Sequence, residues 1–322
     1  MNYLDILRER FSVRRRAEEK EAFLNFVKEE MEAKGYRAAL EEDRLGGKTL
    51  VFGDPERAAL LLCAHYDTPS RKLLPDLRFP GNPMLQLLSE LPMLLLLLIP
   101  AFLLYFIAWT VIGPRATWVF LLAYVGLLFL QVFGPANPRN YNQSSGLAAL
   151  LTVMASVPEA YRSRVAFVLF DQGEKSYMGA RQYGKAHLQT QYTRLMVELG
   201  PVGEGDVLFF LPKRMARKTS SFHGLLEHLK RTEGMTLREG RPEMQMLRSD
   251  FSAFQCGCLL MSAKHVRGLG YMVGHLHTPG DTHAEAGQVE RIAASLVRAI
   301  LGERGEDKEK VENVLENAGI DG

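Results

Sequence analysis

From Leu91 to Ile112 the chain reads LPMLLLLLIPAFLLYFIAWTVI, with no charged residue. After Gly113-Pro114-Arg115 it continues from Ala116 to Phe133 as ATWVFLLAYVGLLFLQVF, again uncharged. A helix needs about 20 predominantly apolar residues to cross a bilayer. The first run reaches that length and the second lies near the lower limit. The turn between them is very short, so the expectation is a transmembrane helical hairpin with both ends on one side. Tyr105, Trp109 and Trp118 lie near the turn, as interfacial aromatics would. A buried helix pair in a soluble protein gives the same pattern, but so long a leucine run is hard to hide in a core. Arg71, Lys72, Arg78 and Arg139 flank the hairpin, and only Arg115 sits in its turn. That bias predicts a lipid bilayer around the hairpin and the soluble part in the cytoplasm. The N-terminal MNYLDILRERFSVRRR has no apolar run, so no signal peptide is expected.

The rest of the chain reads as a soluble α/β protein. Residues 17–34 place Phe23, Phe26, Val27 and Met31 on one helical face, and Gly35 follows as a stop. Apolar strands are expected at Thr49–Phe52, Ala59–Ala64, Val165–Phe170, Arg194–Leu199 and Asp206–Leu211. Helices are expected at Gly146–Ala155, Met178–His187, Ser220–Thr232 and Gly287–Leu301. Strands alternating with helices predict a mainly parallel mixed sheet with helices on both faces, and a site at the carboxyl ends of its strands. The expected division is a first domain segment at 1–83, the hairpin insertion at 84–134, a second segment at 135–302 and a charged tail at 303–322. The 39 basic and 37 acidic side chains leave a net charge of +2, which does not suggest nucleic acid as a partner. Arg14 to Arg16 are read as a solvated face that anionic lipid could touch. Met244, Met246 and Met261 are read as core or pocket lining. Cys63, Cys256 and Cys258 are too few, and odd in number, for a disulfide framework, and are read as reduced thiols.

The chemistry lies in an ordered set of polar clusters: Ala64-His65-Tyr66-Asp67-Thr68-Pro69, Asn142-Gln143-Ser144-Ser145-Gly146, Phe170-Asp171-Gln172-Gly173-Glu174-Lys175, Glu198, Ser249-Asp250-Phe251 and His277-Thr278-Pro279-Gly280-Asp281-Thr282. Imidazoles and carboxylates at strand ends suit Zn²⁺. This series resembles the zinc-dependent aminopeptidase family, which includes bacterial leucine aminopeptidases, glutamate carboxypeptidase and glutaminyl cyclase, along with non-catalytic relatives. The resemblance covers nearly the whole chain outside the hairpin and the tail. It implies a site for one or two zinc ions. His65 and Glu198 would be ligands of one metal, with Asp67 orienting the His65 ring. Glu174 and His277 would be ligands of the other. Asp250 would lie near the substrate.

Two positions depart from the family pattern. Asn142 stands where the family has a carboxylate bridging both metals, and a neutral amide should weaken at least one of them. Gly173 stands at the position of the general base, in the ungapped register that the downstream Gly179-Ala180 supports. A shift of one residue would instead make Glu174 the base and Lys175 a failed ligand. Loss of a general base costs about 10² to 10⁴ in rate, and Asp171 is the possible substitute. Three expectations follow. The chain is a peptide- or partner-binding relative with impaired or lost hydrolysis, an active aminopeptidase using one zinc or a substitute base, or a membrane scaffold. On the first reading, Gly173→Glu together with Asn142→Asp should gain some activity.

Overall fold

The computed structural model describes residues 2–242 and 247–302. The expected tail from residue 303, and Met244 and Met246, lie outside the described residues. The chain opens with α1 (Tyr3–Glu9), α2 (Ala17–Ala33), β1 (Ala38–Glu42), β2 (Lys48–Phe52) and β3 (Leu60–His65). Next come β4 (Asp76–Arg78), α3 (Pro83–Ser89), α4 (Leu91–Ile112) and α5 (Ala116–Phe133). The second half runs α6 (Ser145–Ser156), β5 (Val165–Phe170), α7 (Met178–Ala186), α8 (Leu188–Thr193), β6 (Leu195–Leu199) and β7 (Val207–Pro212). It closes with α9 (Ser221–Lys230), β8 (Thr236–Glu239), β9 (Gly257–Val266), β10 (Gly270–Leu276) and α10 (Ala286–Leu301).

Local chemistry sets these elements. In α2, Phe23, Val27 and Met31 are spaced by four residues and all are buried, one stripe facing the core. The Glu19 carboxylate accepts from the backbone N–H of Arg15 and of Arg16, each at 2.9 Å, which fixes the start of α2. Gly35 ends it with a φ of +86°, a conformation open to glycine.

The strands form one sheet in the order β1-β2-β5-β3-β6-β9-β10-β4, with β7 on the other edge of β9 and β8 beside β7. Its centre is parallel: β3 pairs with β5 and β6, and β6 with the first half of β9. The outer pairs β1–β2, β2–β5, β7–β9, β10–β9 and β10–β4 are antiparallel. Side chains alternate across the sheet. Leu60, Leu62 and Ala64 of β3 join one apolar cluster with residues of α1, α2, α6, α9 and α10. Leu61 and Cys63 join the other, with Ala180 and Tyr183 of α7 and with Phe251 and Phe254. Burial on both faces is what a parallel centre requires. The three cysteines are free and buried, and Met261 is in the core.

Arg14 is not on a solvated face. It is buried, donating from Nε to Tyr66 O at 2.6 Å, from Nη2 to Ser144 Oγ at 2.8 Å, and to Phe11 O. The guanidinium therefore ties the N-terminal segment to the loop after β3 and to the start of α6. Burial lowers its pKa to about 10 although the Asp67 charge opposes the shift.

Helices α4 and α5 fold back on each other across Gly113–Arg115, with Phe102 against Phe120 at a ring separation of 4.9 Å. Gly113 makes the turn at a φ of +58°. Their outer faces are exposed: Leu103, Phe106, Ile107, Val111, Trp118, Leu122 and Phe129 all face outward. The helical stretch is long and apolar enough to cross a membrane, and only 11% of its most apolar window is buried. A core helix pair would be mostly covered. The base of the hairpin is closed by a bridge between Ser70 and Ala136, with Arg71 N–H on Pro135 O at 2.8 Å and Asn137 N–H on Pro69 O at 3.0 Å.

Candidate metal centre

Parallel strands β3, β5 and β6 deliver their carboxyl ends to one place. His65 is the last residue of β3, Glu174 lies in the loop after β5, and Glu198 is in β6. His277 follows β10 directly. The Nε2 of His65 lies 3.6 Å from Glu174 Oε1, and the Nε2 of His277 lies 3.5 Å from the same oxygen. Glu174 thus faces both imidazoles, and Lys175 is exposed. This placement matches the ungapped register. A cavity of ≈ 210 Å³ is lined by His65, Gln143, Glu174 and His277, with Lys72 and Arg78 among its other walls.

The supports of His65 and Glu174 differ from expectation. His65 Nδ1 pairs with Asp250 Oδ2 at 3.0 Å, so Asp250, not Asp67, orients this ring. Asp67 instead accepts from Gly173 N–H at 2.9 Å and Glu174 N–H at 3.2 Å, fixing the loop that presents Glu174. Glu198 accepts from the Ser249 hydroxyl and from Phe251 N–H, the latter at 2.7 Å. Its carboxylate is engaged in holding the short helical turn Asp250–Ala253, which carries Asp250 to His65. Ligand atoms of His65, Glu198 and Asp250 do lie within 4.8 Å of one another, but hydrogen bonds already engage both oxygens of Glu198.

Asn142 also faces structure. Its Oδ1 accepts from Gly203 N–H at 3.0 Å, and its buried Nδ2 has no partner. Its backbone N–H and that of Gln143 donate to Asp281, at 2.8 and 3.2 Å. Gln143 reaches the centre instead. Its Nε2 lies 3.1 Å from His65 Nε2 and 3.5 Å from Glu174 Oε1. Asp171 is no base for this site. It accepts from Lys20 and from Gln172 N–H and lies 3.4 Å from Lys48 N–H, which engages its carboxylate away from the metal donors.

Gly173 is more than a missing carboxylate. A Cβ built there would lie 2.5 Å from His65 Cγ and 2.6 Å from His65 Cβ. The backbone at 173 packs directly on the imidazole, so a glutamate cannot be added there without moving His65. This argues against the expectation that Gly173→Glu together with Asn142→Asp would gain some activity.

Among the described residues, the non-glycine positions with left-handed φ are Gln172, Ser176, Tyr177, His275 and His277, all between 56° and 63°. Gln172, Ser176 and Tyr177 lie in the loop that carries Glu174, His275 lies near the end of β10, and His277 follows that strand. Such conformations cost about 1–3 kcal/mol each and gather at functional sites.

The electrostatics divide the two imidazoles. Burial works against a charged His65, but Asp250, then Asp67 and Glu174, outweigh it and push the pKa up to about 10. His277 moves down to about 3: burial comes first, and Lys72, Arg78 and His65 add to it against the pull of Asp76. Burial and the Asp67 charge raise Glu174 to about 7, with His65 opposing. Asp76 Oδ2 lies 3.4 Å from His277 Nδ1, placed as a carboxylate that orients a ligating imidazole.

Do these donors fit a metal? Zinc holds nitrogen and oxygen at about 2.0–2.2 Å, which separates neighbouring atoms of a tetrahedron by about 3.4 Å. The 3.5 and 3.6 Å edges from Glu174 to the two imidazoles match that spacing. His277 is buried with neither ring nitrogen hydrogen-bonded, so it can offer a lone pair. Glu174 thus stands at metal-ligand spacing from each of the two imidazoles. Glu198 and Asn142, the donors expected to complete a second site, are turned to structural partners.

Sequence reasoning missed Gln143 and Asp76. Gln143 adjoins Asn142 in the motif already singled out, so its neighbourhood was visible but its direction was not. Asp76 sits in a three-residue strand with no local signal.

Residues 142–299 match the model of Peptidase family M28. None of the curated proteins matches the chain. Among solved structures, it is similar to a Zn-dependent exopeptidase from Parabacteroides distasonis, at 12% identity and a TM-score of 0.57, covering 94% of this chain and 96% of that one. It is also similar to a glutaminyl cyclase from Porphyromonas gingivalis, at 12% identity and a TM-score of 0.55, covering 93% and 96%. A third is the LapA aminopeptidase of Legionella pneumophila, at 11% identity and a TM-score of 0.54, covering 94% and 70%. Residues 142–299 thus match peptidase family M28, and the fold of nearly the whole chain is that of a Zn-dependent exopeptidase.

Proposed function

We propose that this chain is a membrane-anchored zinc metallopeptidase relative that holds a single zinc ion and binds a peptide or protein partner, with hydrolysis impaired or lost. The observation that carries the reading is the contact between Gly173 and His65. It closes the general-base position while Glu174 keeps metal-ligand spacing from both His65 and His277. Zinc would supply Lewis acidity, but no carboxylate stands at residue 173 to take a proton from a bound water. The exposed apolar faces of α4 and α5 support a bilayer anchor of two spans. The basic residues at the flanks favour a cytoplasmic soluble part.

A second reading, an active aminopeptidase working with one zinc, is favoured by His277, whose pKa is held low and whose ring nitrogens have no hydrogen bond. Zinc content of the detergent-purified protein, beside a His65→Ala, His277→Ala control, and release of amino acids from chromogenic aminoacyl substrates separate the two. One zinc per chain, lost in the control, with no substrate cleaved, supports the first. Cleavage abolished by His65→Ala overturns it in favour of the second. No zinc in the intact protein refutes both.

A further inference from the structure

The amide of Gln143 stands closer to His65 than Glu174 does. Its Nε2 is 3.1 Å from His65 Nε2 and 3.5 Å from Glu174 Oε1. With Glu174 at 3.6 Å from His65 and 3.5 Å from His277, the amide end completes a triangle of neighbouring donor atoms with His65 and Glu174. All four distances are near the about 3.4 Å expected between neighbouring ligand atoms of a tetrahedral zinc ion. The two ends of an amide are alike in outline, and its partners decide which faces where. Here Gln143 Oε1 is buried with no partner. Half a turn about the last side-chain bond exchanges it with Nε2 and aims an oxygen lone pair at the centre.

The backbone explains how Gln143 arrives there. Asp281 clamps the N–H groups of Asn142 and Gln143. With Asn142 Oδ1 turned onto Gly203, the next side chain projects into the cavity.

We propose that Gln143 is the fourth protein ligand of a single metal ion, through its amide oxygen, closing a His65–Gln143–Glu174–His277 site. Catalytic zinc sites keep one position for water, whereas structural sites are filled by the protein. A closed site leaves no vertex for a nucleophilic water or a substrate carbonyl. The inference rests on the single-zinc reading above and gives it a second cause beyond Gly173. The small cavity, ≈ 210 Å³, agrees, since ligand pockets usually run from about 300 to 1,000 Å³.

The test uses the full chain in detergent, loaded with Co²⁺ in place of zinc. Wild type should bind one cobalt with the intense visible absorption of a four-coordinate site, and added azide should leave the spectrum unchanged. Gln143→Ala should still bind one cobalt, but azide should now shift its spectrum. Its zinc affinity should fall by at least about 10- to 100-fold, the cost of removing even a residue that only supports a ligand. Gln143→Glu should restore both the azide-insensitive spectrum and the affinity. An azide-sensitive wild type, or a Gln143→Ala protein with unchanged spectrum and affinity, overturns the proposal. So does a wild type that takes no metal, where the amide N–H simply caps His65. Cleavage of aminoacyl substrates by wild type sinks the reading of lost hydrolysis on its own, whatever the cobalt spectra show.

Discussion

Replacing Gly173 with alanine probes whether the general-base position is merely empty or physically closed. The added Cβ would meet His65 at 2.5 Å from Cγ, 2.6 Å from Cβ and 3.0 Å from Cδ2. Carbon atoms rest at about 3.5–4.0 Å, so roughly 1 Å of movement must be found. His65 cannot yield freely. Its Nδ1 is held by Asp250 at 3.0 Å, and its Cα belongs to β3, paired on both sides. Residue 173 cannot yield freely either, because its N–H is held by Asp67 at 2.9 Å. Overpacking of this kind costs about 1–3 kcal/mol. At about 2 °C per kcal/mol for a chain of this size, the melting temperature should fall by roughly 2–6 °C. Displacing His65 should also lower zinc content, and Gly173→Glu should do both more severely. Thermal denaturation with elemental analysis on the same samples reads both effects. A Gly173→Ala protein with unchanged melting temperature and zinc content would refute the argument. A Gly173→Glu protein that gains aminopeptidase activity would refute it more directly, by showing the position open.

Asp250→Asn removes the carboxylate behind His65 Nδ1, and zinc affinity should weaken by about 10- to 100-fold with little change in fold; titration against a chromogenic chelator measures it. Asp171→Asn should lower stability by about 1–3 kcal/mol, because Lys20 loses its charged acceptor, and should leave zinc content unchanged; loss of zinc would return Asp171 to the site. Burial, with Glu204 adding to it, holds Asp281 up to about 7 from an ordinary 3.8, and burial with Asp250 holds Glu198 up to about 7 from 4.5. Between those limits the folded chain binds more protons than the unfolded one, so stability falls as pH rises through that window. Melting temperature in chelator should therefore increase from about pH 8 down to about pH 5.5, and Asp281→Asn should flatten the slope; a slope of the opposite sign refutes the assignment.

The sequence disclosed the parallel centre because burial on both faces writes itself as unbroken apolar runs. Val165–Phe170 shows this, with every residue buried. It concealed the outer strands. In β1 only Ala38 and Glu41 are even half-buried, so AALEE carries no usable period. Strand β9 changes partners along its length, from β6 to β10, and near its end Lys264 and His265 are exposed. At the site, the motifs located His65, Glu174 and His277, because fixed strand ends deliver them. They could not show which way the neighbouring side chains turn. Asn142 and Gln143 are adjacent amides of the same chemistry. Only the Asp281 clamp and the Gly203 N–H decide that the second enters the centre. The exchange of Asp67 and Asp250 has the same origin. Two buried carboxylates near one imidazole are equivalent in a sequence and are distinguished by a few ångströms of loop path.

The position of the hairpin follows from the same loops. Residues 69–71 meet 135–137, so the stretch that carries β4, α3 and the hairpin leaves and re-enters the fold at one point. Its only strand, β4, is added at the end of the sheet beside β10. Closing a long insertion costs little when its ends are already adjacent. The consequence is chemical as well as topological. Immediately after the base, Lys72 N–H donates to His277 O at 2.8 Å, and Asp76 faces His277 Nδ1 at 3.4 Å. One short segment thus roots the hairpin and positions a candidate metal ligand. His277, which this segment touches, occupies a left-handed conformation at a φ of 63°. The segment at the hairpin's base therefore also forms one side of the candidate metal centre.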